Sequence, residues 1–170
     1  MNRYCMRPNI IEHSRQVMHV ALTIADNLRP DTIVNRRLVA AGALLHDITK
    51  TRSLATREPH DESGGELLRS LGFPGIAEIV EQHVILRNFN PEDPLSEKEI
   101  IYYSDKRVLH DRIVSLQERL EDLIQRYGVN EAVKIRIRRN GAQALSVEKK
   151  IAGFLTIDIE TLGKLPAPLL

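Results

Sequence analysis

The chain has 170 residues, with 24 Lys and Arg set against 23 Asp and Glu, and one cysteine. That length suits one domain with a sizeable core, and so even a charge balance gives no reason to expect general binding to nucleic acid or to membranes. The lone Cys5 excludes an intramolecular disulfide and points to a reducing compartment; with no signal-peptide apolar stretch in MNRYCMRPNII and no run long enough to span a bilayer, a soluble cytoplasmic protein is expected.

Pro8-Asn9 followed by Glu12 reads as a helix entry, with Asn9 as N-cap and Glu12 closing a capping box. From Ile10 to about Leu28 the apolar residues Ile10, Val17, Val20, Ala21, Ile24 and Leu28 recur near helical spacing. Arg29-Pro30-Asp31 interrupts, because proline disfavours a helical residue before it. A second helix is predicted from about Thr32 to Lys50, then a polar loop over Thr51–Pro59. Pro59 opens a third helix, roughly His60 to Leu71, that stops at Gly72. Pro74 opens a fourth through about Leu86, with Gly72-Phe73-Pro74 as the junction.

Asn88–Leu95, with two prolines, reads as loop. Ser96 and Glu99 form another capping box, starting a helix that passes Asp105 and reaches about Leu109. Leu116, Leu120, Leu123, Ile124 and Tyr127 make one apolar stripe on a further helix that Gly128 ends. Asn130 caps a last helix to about Leu155, although Val133, Ile135 and Ile137 alternate as a strand would. No hairpin signal stands out. The class is all-α, a compact bundle of roughly six to eight helices.

The chemistry concentrates at the end of LVAAGALLHDITK, residues 38–50. A continuous apolar run ends in His46 beside Asp47, and burying either group unpaired costs several kcal/mol. A shared divalent metal compensates both, since neutral imidazole and carboxylate oxygen are good ligands for first-row ions. His13 on the first helix and Asp105, which follows the apolar segment Ile100–Tyr103, supply a second imidazole and a second carboxylate. His60 and His83 qualify as further ligands.

In this order and spacing the residues resemble the HD-domain metal-dependent phosphohydrolases. That family has a first His on one helix, an adjacent His-Asp pair on the next and an Asp much later; here these are His13, His46-Asp47 and Asp105. His46-Asp47-Ile48-Thr49-Lys50 is similar to the H-D-I-G-K variant, with Thr49 in place of Gly. His60-Asp61-Glu62-Ser63-Gly64 resembles the H-x-x-x-G segment of the two-metal branch, and His83 matches its subsequent His. The resemblance spans about residues 9–106. It implies a single HD-type helical domain over 1–170, with helices at about 110–160 completing or extending it.

It also implies that His13, His46, Asp47 and Asp105 bind one metal while Asp47 bridges to a second held by His60 and His83. Fe, Mn, Co, Ni or Zn suits such a mixed N/O set, and Mg is less natural with so many imidazoles. The implied activity is hydrolysis of a phosphomonoester or phosphodiester by metal-activated water, on a nucleotide or related small phosphorylated molecule, with Asp47 and Lys50 catalytic. Lys50 reads either as a phosphate contact or as a cation at a helix C-terminus.

Two rival readings stand beside it, a non-catalytic metal- or nucleotide-binding regulatory module and a di-iron oxygenase on the same fold. His19 and His110 match nothing and read as surface or packing histidines, and Arg87 as a solvated loop residue. Gly64-Gly65 serves close helix approach, either at the site or in ordinary packing. The basic cluster VKIRIRR, 133–139, reads as a solvated face rather than a nucleic-acid groove. The Leu116–Tyr127 stripe reads as core or as a homodimer contact between C-terminal helices.

Overall fold

The computed structural model describes residues 4–166 and 168. Helix α1 (Pro8–Asp26) starts at the proline itself, whose missing N–H costs nothing in a first turn. The expected capping box is not formed: Arg7 takes the N-cap position without a side-chain cap, and Glu12 pairs with Arg15 at 2.6 Å. The buried face carries Ile10, His13, Val17, Val20, Ala21 and Ile24, the three-and-four spacing of a core-facing stripe.

Helix α2 (Arg36–Leu45) begins later than expected, because the Asn35 side chain accepts the Leu38 N–H at 3.1 Å and fixes the start there. It also ends sooner. Residues 46–49 form turns, and Lys50–Thr56, expected as the helix end and then loop from Thr51, is a short helix, α3. No residue of α3 is buried, so its sequence carries no apolar period to read. It ends at Arg57 in the left-handed region, φ 62°.

Helices α4 (His60–Ser70) and α5 (Pro74–Val80) follow. The latter stops well short of Leu86, which leaves His83 in the turn after it. Helix α6 (Glu97–Lys106) has the expected box: the Glu99 carboxylate accepts the Ser96 N–H and hydroxyl, both at 2.8 Å. Instead of continuing, the chain then makes a small antiparallel hairpin, β1 (Val108–Leu109) with β2 (Arg112–Ile113). Strands this short show no alternation in sequence.

Helix α7 (Leu116–Tyr127) is capped by Ser115, and α8 (Glu131–Phe154) by Asn130, whose side chain accepts the Val133 N–H at 2.9 Å. The strand-like alternation at 133–137 is helical. Val133 and Ile137, one turn apart, share a half-buried face, and Ile135 is left exposed. Eight α-helices are thus present among the described residues, an all-α bundle as expected. None is long and apolar enough to cross a membrane.

The main core lies between α1, α2, α6 and the second half of α8, around Val17, Leu22, Val39, Ile101, Tyr102 and Ile151. Lys150 reaches from α8 to Glu99 at 2.7 Å, a buried ion pair tying α8 to the α6 cap. A smaller cluster, Met6, Ile10, Ile48, Leu68, Ala77 and Val80, joins the start of α1 to α4 and α5. His13 lies on α1 between Ile10 of one cluster and Val17 of the other, which places the polar site at their junction.

Candidate metal centre

Six side chains singled out in the sequence meet at this junction. His13 comes from α1, His46 and Asp47 from the turn after α2, His60 from the first residue of α4, His83 from the turn after α5, and Asp105 from the last turn of α6. His46, Asp47 and His83 are almost wholly buried. Two groups, His13-His46-Asp47 and Asp47-His60-His83, each offer ligand atoms within 4.8 Å of one another, and Asp47 is common to both. Asp105 closes the first group, with Oδ1 3.0 Å from His13 Nε2 and 3.6 Å from His46 Nε2.

Main-chain carbonyls fix the imidazoles. His46 Nδ1 donates to the Ala43 carbonyl at 2.7 Å, His83 Nδ1 to that of Val80 at 2.6 Å, and His13 Nδ1 to that of His110 at 3.1 Å. A ring that donates from Nδ1 turns a lone pair outward at Nε2, the usual outer arrangement of a metal-bound histidine. At His46 that lone pair faces two carboxylate oxygens, Asp47 Oδ2 at 3.4 Å and Asp105 Oδ1 at 3.6 Å. His60 Nε2 and His83 Nε2 likewise approach each other to 3.2 Å, and both lie within 3.5 Å of Asp47 Oδ1.

At His46 acceptors face acceptors, which repel unless a cation lies among them, whereas His60 and His83 can share a proton between their Nε2 atoms. Consistently, His46 Nε2 and Asp47 Oδ1 are buried with no aligned hydrogen bond, although charged neighbours are close. Leaving such groups unmatched costs about 1–3 kcal/mol each, more when charged. Two imidazoles and two carboxylates around one position, and two imidazoles sharing a carboxylate at the other, fit first-row divalent ions. The donor set therefore fits the metal that the sequence implied.

Electrostatics divide the histidines. Burial would push His46 down, but Asp47 and Asp105 outweigh it and raise its pKa. Burial dominates at His83, pushing it to about 4, so its imidazole stays neutral and ready to ligate. Asp47 and Asp105 are buried too. Even so, His46 and Lys50 hold Asp47 well below the usual carboxylate range, and Lys106 and His13 do the same for Asp105.

Lys50 joins the site by a route different from the one expected. It is the first residue of α3, not the last of α2, and its Nζ contacts Asp47 Oδ2 at 2.8 Å. Because Lys50 holds one oxygen of Asp47, the other is turned toward His60 and His83. Three more residues were missed. Lys106 donates to the His83 carbonyl, lies 3.3 Å from Asp105 Oδ2 and sits 4.0 Å over the Tyr102 ring, clamping the two halves of the centre together; its only signal was its place after Asp105. Thr49 donates to the His60 carbonyl at 2.7 Å and accepts from Ser63 at 3.1 Å, joining the His-Asp turn to α4. His110, expected as a surface or packing residue, is exposed, yet its carbonyl orients His13.

His19 bonds the Leu165 carbonyl at 3.1 Å, away from the site, and Arg87 lies exposed on its loop, as expected for both. Gly64 serves close approach. A Cβ there would come within 2.9 Å of Val80 and 3.3 Å of the Thr49 hydroxyl, so a larger residue would push α4 off both α5 and the His-Asp turn.

The family model of the HD domain matches residues 10–110, from the start of α1 to the turn of the hairpin. The chain belongs to the HD-domain family. Among curated relatives it is similar to a tRNA (cytidine(56)-2'-O)-methyltransferase of Picrophilus torridus, 32% identical over 165 residues, covering 88% of this chain and 46% of that protein. It is also similar to a ribonuclease Y of Deinococcus radiodurans, 26% identical over 178 residues, covering 92% of this chain and 30% of that protein. The chain thus spans less than half the length of either. No solved structure gives a significant match.

Proposed function

We propose that this HD domain is a phosphohydrolase that uses two divalent transition metals and acts on a nucleotide or related small phosphorylated molecule. The observation that carries the reading is Asp47, a buried carboxylate shared by two ligand groups. In this reading His13, His46, Asp47 and Asp105 hold one ion, and Asp47, His60 and His83 the other. When bound, such a pair activates water for attack on phosphorus and neutralises the phosphoryl oxygens. Hydrolysis of a phosphate ester is also supported by the ribonuclease among the relatives.

The chain's own residues bind and orient. Lys50 and Lys106 bring positive charge to the mouth of the centre, where both line the adjoining cavity. Lys50 fixes Asp47 through one carboxylate oxygen and keeps N–H donors for a phosphoryl oxygen. Lys106 fixes Asp105 against His83. His60 is the most open of the four histidines, with its side chain 23% exposed against 2% for His83, and faces the entering ester.

Elemental analysis of protein purified without chelator, paired with a screen of phosphate esters, tests the reading. Two transition-metal ions per chain and chelator-sensitive release of phosphate are expected. Bound metal without turnover of any mono- or diester, RNA included, would replace the enzyme with the regulatory module.

A further inference from the structure

Beside the centre lies a cavity of about 720 Å³, a size suited to a small organic ligand. One wall is the centre itself, with Lys50, His60, His83, Asp105 and Lys106. The opposite wall belongs to α7 and the first half of α8, which begin after the family match has ended. On α7, Leu116, Leu120, Leu123 and Tyr127 fall on one helical face, and Val133 and Ile137 do so on α8; all six line the cavity. No residue of α7 is fully buried, and the stripe is only partly covered, with Leu116 against the main core and Leu120 against Gly141 of α8.

The charged side chains of the far wall are cationic. Arg119 binds Asp122 through Nη1 at 2.9 Å, yet its Nε is buried with no hydrogen-bond partner. An unmatched guanidinium N–H beside a cavity is a strong donor for an anionic oxygen. Arg119 and Lys106 line the same cavity, so the two cations serve one region. Arg136 lines the same space, while Asp61 and Glu62 line it beside His60. Arg138 and Arg139 are exposed and do not line it.

We propose that α7 and the first half of α8 are the specificity element of this protein, holding a phosphate ester with an apolar, ring-sized body. Leu120, Leu123, Tyr127 and Ile137 pack on the body, and Arg119 Nε donates to an oxygen of the phosphate group. This inference rests on the phosphohydrolase reading for the orientation of the ester. A nucleic-acid strand is disfavoured, because binding one calls for a cationic track and stacking aromatics, and among the described residues Tyr127 is the one Phe, Tyr or Trp on these walls.

Calorimetry of the metal-loaded full chain with two non-hydrolysable probes, 1-naphthylmethylphosphonate and methylphosphonate, tests it. The naphthyl compound is expected to bind at least about tenfold tighter. Leu123→Asp should erase that preference while leaving methylphosphonate binding in place, and Arg119→Gln should weaken both probes about five- to tenfold. Unchanged melting temperatures check that the variants fold. Equal affinity for the two probes, a preference that survives both Leu123→Asp and Ile137→Asp, or displacement of the naphthyl probe by a tighter-binding octauridylate overturns the proposal. If the preference and its loss in Leu123→Asp are seen but no ester is hydrolysed, the pocket stands and the phosphohydrolase reading falls.

Discussion

At the scale of single residues, the centre is a set of imidazole lone pairs and carboxylate oxygens brought together as a shared cation would need. Asp47 is the shared member, so Asp47→Asn is expected to empty both positions, with metal content falling below about a tenth and hydrolysis lost. Normal metal content in that variant would refute the ligand assignment. Lys50→Ala removes no candidate ligand, only the contact that steadies Asp47, and should lower kcat/KM about 10–100-fold while metal is retained; unchanged kinetics would remove Lys50 from the reaction.

The metal-free protein should also carry a characteristic acid sensitivity. Asp47 and Asp105 are held well below the usual carboxylate range in the fold. The unfolded chain therefore takes up protons first as pH falls, and stability drops from about pH 4 downward. His83, lowered to about 4 by burial, adds a loss of the same sign that starts near the ordinary histidine value, whereas His46, raised by its carboxylates, acts oppositely. Thermal melts of chelated protein across pH 3–7 should show the steepest decline at the acid end. A flat profile below pH 4 would contradict the paired carboxylates.

At the scale of elements, the candidate ligands were legible because their chemistry is conspicuous. A histidine beside an aspartate after LVAAGALL has few structural uses, and the order of His13, His46-Asp47, His60, His83 and Asp105 marks a family. The supports were less legible. Helix α3 gave no apolar period because it buries nothing, and the α2 start was decided by the Asn35 side chain rather than by the apolar run. The 108–113 hairpin was too short to alternate. Lys106, Thr49 and His110 act through contacts with residues remote in sequence, which spacing does not reveal. Gly64 carries its own prediction. Gly64→Val should cost about 1–3 kcal/mol through overpacking against Val80, and by displacing His60 it should lose the Asp47-His60-His83 ion before the other. Equal loss of both ions would mean that α4 does not position its histidine independently.

At the scale of the whole molecule, the centre joins five segments running from α1 to α6. A metal bound by the folded chain alone adds about 2.7 kcal/mol at a hundredfold excess over Kd, which for a protein of this size raises the melting temperature by about 5–10 °C. Identical melting with and without saturating metal would show that the site is not coupled to folding. The two walls of the cavity also divide the molecule, with catalysis assigned to the family core and selectivity to α7 and α8.

The anchoring of His13 sets it apart from the other pinned rings. His46 and His83 are each steadied by a carbonyl three positions upstream, within their own turn of chain. His13 is steadied by His110, from the far end of the family region. A polypeptide cut after Lys106 would still own all six candidate ligands, but the His13 imidazole would keep only its Asp105 contact and lose the carbonyl on its other nitrogen. Its half of the centre therefore depends on the tip of a six-residue hairpin lying back against the first helix.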